Sequence, residues 1–364
     1  MERQEEKCKL TLFSKNKIAY TLVMVSFECD YNNGMAPKIL EAMIKTNGSS
    51  LSGYGADEFT QSAIKKIKEA VGQPSAYVSL VTGGTQTNQL VISTLLGRCE
   101  GVVTTDTGHI NVHESGAIEF TGHKVIALKN LDGKLSPVAL KDYMLQYMDS
   151  EPKTALVTPK MVYISHPTEI GTLYSKSELE EIRAICDEYG LYLFLDGARL
   201  AYGIATKQTD VTLPFLAKTC DAFYIGGTKC GAIAGEAVVL KKEVAPANFE
   251  QMKKQEGAML AKGRLLGLQF DTLFSDNYYL ELGQHGIKQA MRLKEIFKAK
   301  GYKLAWDSPT NQQFIIMNNK KMQELLKVIK FERWEGVDKN TSVVRFCTSW
   351  STLDSDLEEL EKWL

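Results

Sequence analysis

Two residues that could do chemistry together each follow a hydrophobic run. Asp196 follows LYLFL (191–195), and Lys229 stands a few residues after AFYI (222–225). A lysine amine with a lowered pKa can form an imine with a carbonyl group. A carboxylate beside a pyridine nitrogen keeps that ring protonated, so that the ring accepts electrons. The pair therefore suggests pyridoxal 5'-phosphate (PLP) as a cofactor, and a salt bridge between two loop ends is the alternative.

A glycine-rich segment could bind the phosphate of such a cofactor. The sequence TGGTQTN (82–88) stands directly before a stretch with helical periodicity, 85–97. Glycines let the backbone approach an anion, and the free N–H groups at a helix N-terminus bind phosphate. The segment matches neither GxGxxG nor GxxxxGK[ST], which disfavours a dinucleotide and a nucleoside triphosphate. A glycine turn with Thr85 as the helix cap is the alternative.

His109 follows the short predicted strand VVTT (102–105) and could face the same site. It would act there as an aromatic lid on the cofactor ring or as an acid or base, and a hydrogen-bonded loop histidine is the alternative. His113 and Glu114 could form a pair on the following helix. His109 and His113 have zinc spacing, but no third ligand is evident, so no metal site is predicted.

Alternating helices and buried strands must position these groups. The clearest unit runs from Ser175 to Asp196: Ser175 and Glu178 form a capping box, and Gly190 ends the helix before the strand. A continuous hydrophobic strand is typical of a sheet buried on both faces. The pattern predicts an α/β fold with a mostly parallel sheet, whose ligands collect at the carboxyl ends of the strands. The predicted strands are 76–81, 102–105, 124–128, 191–195, 222–225 and 236–240.

The pattern of predicted helices and strands changes beyond residue 265, where a long helix (276–299) is followed by short strands and a final helix (353–363). We therefore predict three segments: an N-terminal segment (1–40), a large domain (41–268) and a smaller C-terminal α+β domain (269–364). The stretch KNKIAYTLVMVSF (15–27) is interpreted as part of a non-core extension rather than as a signal peptide, because no small-residue cleavage site follows it.

Composition narrows the class of protein. The 364 residues contain 43 Lys+Arg and 44 Asp+Glu, and the resulting net charge of −1 argues against nucleic-acid binding. Seven cysteines without a CxxC pair indicate reduced thiols and a cytoplasmic enzyme. No run of 18 apolar residues is present, so no membrane span is predicted.

In combination, these segments resemble the low-specificity threonine aldolase / β-eliminating lyase family of PLP enzymes, which have the aspartate-aminotransferase-like fold (fold type I). The resemblance extends from about residue 27 to residue 350. The matching segments are LSGYGADEFT (51–60), TGGTQTN (82–88), GHINVHESGAI (108–118), SHPTEIGTLYS (165–175), FLDGARL (194–200), IGGTK (225–229), KKQEGAMLAKGRL (253–265) and VRFCTSW (344–350).

The resemblance implies catalytic roles for Lys229, which would form the Schiff base, for Asp196 at the pyridine nitrogen and for His109 on the ring. The implied cofactor-binding residues are Gly84, Thr85, Gln86, His109, Asp196, Arg199, Lys229 and Lys262. Arg199, Arg345, Tyr54 and Thr168 are the implied substrate-binding residues, and Thr168 stands where the family usually has a histidine. Arginine suits a substrate carboxylate because its planar fork matches it.

The activity implied by the resemblance is cleavage of L-threonine or L-allo-threonine to glycine and acetaldehyde through an external aldimine and a quinonoid. It also implies a homo-oligomer, a dimer or a homotetramer, with the active site at the subunit interface and Lys262 reaching it from a neighbour. A β-eliminating lyase acting on another amino acid is one alternative. A non-catalytic binding protein with the same fold is the other.

Overall fold

The computed structural model describes residues 24–364. Cys8 and residues 15–23 of the predicted extension lie outside the described residues. The strands are β1 (Val25–Ser26), β2 (Tyr77–Val81), β3 (Glu100–Thr105), β4 (Lys124–Leu128), β5 (Thr158–Ser165), β6 (Tyr192–Asp196), β7 (Ala222–Gly226), β8 (Glu236–Leu240), β9 (Lys303–Trp306), β10 (Gln312–Asn318), β11 (Ile329–Lys330), β12 (Glu332–Gly336) and β13 (Thr341–Cys347).

Helices connect most of these strands, as an alternating pattern requires. They are α1 (Pro37–Thr46), α2 (Glu58–Ala70), α3 (Gly84–Leu95), α4 (His109–Val112), α5 (Ala117–Phe120), α6 (Pro137–Asp149), α7 (Lys176–Tyr189), α8 (Leu200–Ala205), α9 (Leu213–Thr219), α10 (Phe249–Gln255), α11 (Arg264–Leu273), α12 (Tyr278–Ala299), α13 (Asn319–Leu325) and α14 (Asp354–Trp363). A short 3₁₀ helix covers Lys153–Ala155.

Seven strands form the main sheet in the order β2-β8-β7-β6-β5-β3-β4. The neighbours from β4 to β7 pair in parallel, whereas β8 is antiparallel to both β7 and β2. The expectation of an α/β fold with a mostly parallel sheet is confirmed. The central strand β5, which lies between β3 and β6, was not predicted from the sequence.

The predicted unit from Ser175 to Asp196 forms as expected. The Ser175 hydroxyl accepts a hydrogen bond from the Glu178 amide, and the Glu178 carboxylate accepts one from the Ser175 amide at 2.8 Å. Gly190 follows α7 with a φ of +65° and so ends the helix in the left-handed region. The helix buries Leu179, Ile182, Ile185 and Cys186 against the sheet.

Apolar layers cover both faces of the main sheet. Alternate residues of β6 point to opposite faces, so Leu193 and Leu195 pack in one cluster and Phe194 in the other. The helices bring the partners, for example Ile182 of α7 on the first face and Val91 of α3 on the second. Burial on both faces leaves the sheet edges and strand ends as places for a polar site.

A second, four-stranded antiparallel sheet has the order β12-β13-β10-β9. Its core includes Phe346, Phe297 and Phe331. Phe27 packs against Phe346 with ring centroids 6.0 Å apart, and β1 pairs in parallel with β11. Residues 25–27, which the sequence analysis placed in an N-terminal segment, therefore pack with the C-terminal part of the chain.

Both predicted segment boundaries fall inside helices. The boundary at 40/41 cuts α1, and the boundary at 268/269 cuts α11. The division into a large and a small domain stays a prediction, and a helix end suits each boundary better than the predicted position. Among residues 24–364, no helix is both long enough and apolar enough to cross a membrane.

Candidate active site

The carboxyl edge of the main sheet brings together the two groups singled out from the sequence. Asp196 is the last residue of β6, and Lys229 follows the end of β7, the parallel neighbour of β6. The backbones approach closely at Gly197, where an added Cβ would lie 1.9 Å from the carbonyl oxygen of Tyr224. Only glycine fits there, which explains the D-G sequence directly after the strand.

A cavity of about 180 Å³ opens at this edge. It is lined by Thr82, Gly83, Gly84, Thr85, His109, Ser165, Pro167, Thr168, Glu169, Asp196, Ala198, Arg199, Tyr224, Thr228, Lys229 and Glu236. Seven of the predicted site residues are in this set: Gly84, Thr85, His109, Thr168, Asp196, Arg199 and Lys229.

Asp196 is held as a buried carboxylate. Its Oδ1 accepts a hydrogen bond from the Ala198 amide at 2.9 Å, and its Oδ2 accepts from the Tyr163 hydroxyl and from Asn88 Nδ2 at 3.2 Å. Burial opposes ionisation, but nearby His109 and the hydrogen bond from Tyr163 hold the pKa of Asp196 below its usual range. Its negative charge is available to a cationic partner in the cavity.

The surroundings of Lys229 favour the neutral, nucleophilic form of its amine. Burial lowers the pKa of Lys229, and the positive charge of Arg199 lowers it further. Among residues 24–364, no carboxylate forms a salt bridge with its Nζ, so the alternative of an Asp196–Lys229 salt bridge is wrong for the described chain. A larger fraction of neutral amine favours imine formation.

A hydrogen-bonded chain links His109 to Asp196. The Nδ1 atom of His109 lies 2.7 Å from Oε1 of Glu114, whose side chain is fully buried. The same Oε1 accepts a hydrogen bond from Asn88 Nδ2 at 2.7 Å, and Asn88 also donates to Asp196. The expected pair of His113 with Glu114 is wrong, because the turn after α4 directs Glu114 towards His109 instead.

The predicted phosphate loop joins β2 to the N-terminus of α3. The first N–H groups of α3, starting at Gly84, have no partner within the helix, and Gly84 and Thr85 line the cavity. At Gly84 an added Cβ would lie 3.1 Å from the Tyr224 hydroxyl, so glycine keeps this space open. Gln86 does not line the cavity, because its Oε1 accepts hydrogen bonds from the amide and hydroxyl of Thr82 and so holds the loop.

Arg199 lines the cavity and also forms an ion pair with Asp30, which does not line it. Its Nε and Nη2 donate to the two oxygens of Asp30 at 2.7 and 3.0 Å, and Asn311 donates to the same carboxylate at 2.9 Å. Arg199 keeps Asp30 ionised although burial opposes it, so the pKa of Asp30 is lowered. The bidentate contact fixes the plane of the guanidinium group, whose other N–H groups have no acceptor among residues 24–364 and can contact a ligand.

Thr168 lines the cavity, but its hydroxyl is engaged in a turn with Thr172, at 2.7 Å between the two Oγ1 atoms. The neighbouring Glu169 also lines the cavity. His166 is fully buried, does not line the cavity, and burial lowers its pKa to about 4. The acidic residue Glu169, rather than a histidine, is therefore the ionisable group that this segment contributes to the cavity.

Besides Gln86, three predicted site residues do not line the cavity of this chain: Arg345, Tyr54 and Lys262. Arg345 is engaged by Gln312, Glu332 and the ring of Trp334. Tyr54 and Lys262 lie on the surface elsewhere. The amide of Tyr54 donates to the carbonyl of Ala261 at 3.0 Å, which places Tyr54 beside the loop that carries Lys262.

Sequence reasoning missed several residues that complete the site. Asn88, Glu114 and Glu169 lie inside segments already noted from the sequence, and Asp30 lies within the stretch of resemblance, but the contacts that give them roles join distant parts of the chain. Tyr163 lies in β5, the strand that was not predicted. For Asp30, Glu114 and Glu169, the available signal was an acidic residue within a matching stretch of the chain, since a carboxylate that becomes buried needs a partner.

The described residues fit PLP. The cavity combines an amine with a lowered pKa at Lys229, an ionised carboxylate at Asp196, an imidazole at His109 and a helix N-terminus kept open by Gly84. These groups suit, in that order, a carbonyl carbon, a protonated pyridine nitrogen, a ring face and a phosphate. Dehydrogenase chemistry has no comparable support, since the loop lacks the dinucleotide fingerprint.

Comparisons with known proteins show the family of this chain. The family model described as "Beta-eliminating lyase" matches residues 29–319. A low-specificity L-threonine aldolase of Pseudomonas sp. (strain NCIMB 10558) is 29% identical over 340 residues, covering 92% of this chain and 95% of that protein. The solved structure of Leishmania major threonine aldolase has 43% sequence identity and a TM-score of 0.90, covering 93% of this chain and 98% of that chain.

A more distant neighbour shows the fold alone. Aspartate aminotransferase of Thermus thermophilus is 15% identical with a TM-score of 0.67, covering 94% of this chain and 92% of that chain. Fold and site together define an enzyme of the PLP-dependent, aspartate-aminotransferase-like class. Within this class the chain belongs to the β-eliminating lyase family, as its sequence predicted, and it is a lyase.

Proposed function

We propose that this chain cleaves L-threonine and L-allo-threonine to glycine and acetaldehyde with bound PLP. The proposal rests on the approach of Lys229 and Asp196 at the ends of two adjacent parallel strands, in one cavity with the N-terminus of α3. The relatives named as threonine aldolases, among them the Leishmania enzyme at 43% identity, support this substrate. The alternatives of another lyase reaction or of a non-catalytic binding protein are not favoured.

Each residue of the site would have its own role in holding the cofactor. PLP, when bound, supplies an acceptor for the electron pair that the broken Cα–Cβ bond leaves behind. Lys229 would hold the cofactor covalently, Asp196 would keep its ring nitrogen protonated, and His109 would cover the ring. The backbone N–H groups of Gly84 and Thr85 would bind the phosphate, with Gln86 shaping the loop from behind.

Substrate orientation would decide which bond breaks. Arg199 is fixed by Asp30 and has N–H groups left to bind the α-carboxylate of the amino acid. Arg345 contacts Gln312, whose amide donates to the carbonyl of Glu169 at 3.4 Å, so Arg345 stands behind the cavity wall on that side. Holding the carboxylate aligns the Cα–Cβ bond for cleavage, which is the positioning contribution to catalysis.

The active site would be completed by a second copy of the chain, in a dimer or homotetramer. Tyr54 and Lys262 do not line the cavity of their own chain, Tyr54 is 56% exposed, and its amide donates to the carbonyl of Ala261, the residue before Lys262. The apolar residues Leu40 and Ile44 of α1 are exposed as well. Arg264 donates to the carbonyls of Thr46 and Ser49, which joins the end of α1 to the same stretch of surface.

A cytoplasmic location is part of the proposal. Its support is the chemistry of the cysteines: the six in residues 24–364 are free, and four of them are buried. Unpaired cysteines are typical of reducing compartments.

The test is a visible absorption spectrum of the purified holoenzyme before and after borohydride, followed by peptide mapping and an acetaldehyde assay with L-threonine and L-allo-threonine. We expect a yellow imine that borohydride fixes on Lys229, and cleavage that Lys229→Ala abolishes because the residue that binds the cofactor covalently is lost. Lys298→Ala, at a lysine of α12 that pairs only with Glu295, is the control and should retain activity.

A protein that stays colourless with added PLP would contradict the cofactor assignment at this site. A coloured protein that releases no acetaldehyde from either substrate would contradict the substrate while leaving the cofactor in place.

A further inference from the structure

Glu169 lines the cavity and is an ionisable group with no role among those assigned above. Glu169 accepts hydrogen bonds at Oε1 from the His109 amide (3.0 Å) and from the Ser165 hydroxyl (2.7 Å). Its Oε2 has no hydrogen-bond partner among residues 24–364 and is not among the atoms sealed off from solvent. One oxygen is thus fixed by two donors, and the other has no donor within the described chain.

The surroundings of Glu169 favour a carboxyl group that exchanges its proton. Burial raises the pKa of Glu169. The hydrogen bonds from Ser165 and from its own backbone amide lower it, the Asp196 carboxylate raises it and His109 lowers it. Tyr163 and Tyr174 also lie within its electrostatic reach, and Arg199 and Lys229 line the same cavity. A carboxyl group with a raised pKa in an active-site cavity is a candidate acid or base.

We propose that Glu169 is the base that takes the β-hydroxyl proton of the substrate at Oε2, an inference that rests on the proposed function. Two competing groups of the same segment are unsuitable. The hydroxyl of Thr168 is engaged by Thr172, and the ring of His166 is buried away from the cavity, with its Nδ1 turned to the Tyr174 amide at 3.4 Å. Glu169 alone of the three offers an unengaged atom to a ligand.

The step balances without any further reactant. The O–H bond of the β-hydroxyl breaks and its proton moves to Oε2, while the oxygen forms the carbonyl of acetaldehyde with Cβ. The Cα–Cβ bond breaks, and its electron pair stays with the glycine portion, where the bound cofactor accepts it. Cα then takes a proton from water and Glu169 releases its proton to water, so that one amino acid yields one glycine and one aldehyde.

The variant Glu169→Gln separates proton transfer from structure. Glutamine keeps an oxygen for the donors His109 and Ser165 but cannot accept the proton. We expect kcat for threonine cleavage to fall by about 100-fold or more. Exchange of the glycine α-proton in deuterated water, which involves no β-hydroxyl, should stay within about threefold of the unmodified holoenzyme. Glu180→Gln, at an exposed glutamate of α7, is the matched control.

Each outcome decides the proposal. Cleavage by Glu169→Gln at the unmodified rate would overturn it. An equal loss of cleavage and of glycine exchange would overturn it too, because it would show a role in placing His109 or the cofactor. If the unmodified holoenzyme exchanges the glycine proton but does not cleave threonine, the proposed function fails instead, and the comparison of variants does not arise.

A second variant keeps the test available if Glu169→Gln does not fold. The hydrogen bond from Ser165 stabilises the ionised form of Glu169, so Ser165→Ala should raise the pKa of this base. A base must be ionised to act, so the acidic limb of the kcat–pH profile should move to higher pH in Ser165→Ala. An unmoved limb would overturn the proposal.

Discussion

Two side chains that line the cavity, Arg199 and His109, are each held by a buried carboxylate. Asp30 compensates Arg199, and Glu114 lies against His109, in both cases with a carboxylate whose side chain is fully buried. Buried charges without partners are costly, and removing one partner of such a pair costs more than the pair contributes. The cavity therefore depends on residues, such as Asp30 and Glu114, that do not themselves line it.

We predict that Glu114→Gln lowers kcat for threonine cleavage by about tenfold, since the hydrogen bond to a neutral partner orients the His109 ring less strongly. The kcat–pH profile should also shift, because a negative charge next to His109 and near Asp196 is removed. The measurement is kcat against pH for the holoenzyme. Glu119→Gln, at an exposed glutamate five residues along the chain, is the control. Equal profiles for the two variants would show that Glu114 does not position His109.

Among the secondary-structure elements, the ends of strands rather than helices position most of the reactive side chains. Asp196 ends β6, Lys229 follows β7, and Ser165 ends β5 next to Glu169. Strands with a continuous apolar run were predictable, because burial on both faces removes the polar alternation. Strand β5 escaped prediction because Pro159 and Lys160 interrupt its start. In the structure, Lys160 extends its amine to the carbonyl of Gly190 at 2.7 Å and so leaves the strand intact.

The aromatic cluster of the second sheet gives a stability prediction. Phe346 is fully buried and contacts Phe297 and Phe331, with ring centroids 4.9 and 4.6 Å away. Phe346→Ala should lower the free energy of unfolding by about 3–5 kcal/mol, because it removes buried area and leaves a cavity. Phe120→Ala, at a phenylalanine that is 84% exposed, is the control and should change it little. Urea unfolding of both holoenzymes measures the difference, and similar midpoints would contradict the assigned packing.

In the whole molecule, two of the expected site residues, Tyr54 and Lys262, lie away from the cavity. The hydrogen bond from the Tyr54 amide to the Ala261 carbonyl places Tyr54 beside the segment that carries Lys262, and neither residue lines the cavity of its own chain. In closed symmetric dimers, the same surface of each copy meets the other. A two-fold arrangement would then carry both residues of one copy to the cavity of its partner, as proposed above.

Complementation between inactive variants tests this arrangement. Lys229→Ala and Lys262→Ala should each lose most activity, because one removes the covalent link and the other a phosphate contact. Coexpressed, they should regain activity in about a quarter of the sites, since half of randomly paired dimers are mixed and each has one intact site. Lys229→Ala with Asp196→Ala is the control pair and should regain none, because both residues belong to the same cavity. No recovery in the first pair would contradict a site shared between copies.

Local chemistry in the sequence determined a large part of this protein. Hydrophobic periodicity determined the α/β fold, and the ends of two apolar runs identified Asp196 and Lys229. The glycines of TGGTQTN indicated a phosphate loop, and the combined segments indicated the family. Each of these features depends on residues near one another in the chain, where spacing and side-chain type carry the information.

Only the tertiary structure decided which distant groups meet. It paired Asp30 with Arg199 across 169 positions, turned Glu114 towards His109 rather than His113, and placed Glu169 rather than Thr168 as the open group of the cavity wall. It also left Tyr54 and Lys262 outside the cavity. Such contacts depend on the order of the strands and the paths of the loops. A hydrophobic pattern with period 2 or 3.6 specifies neither of these.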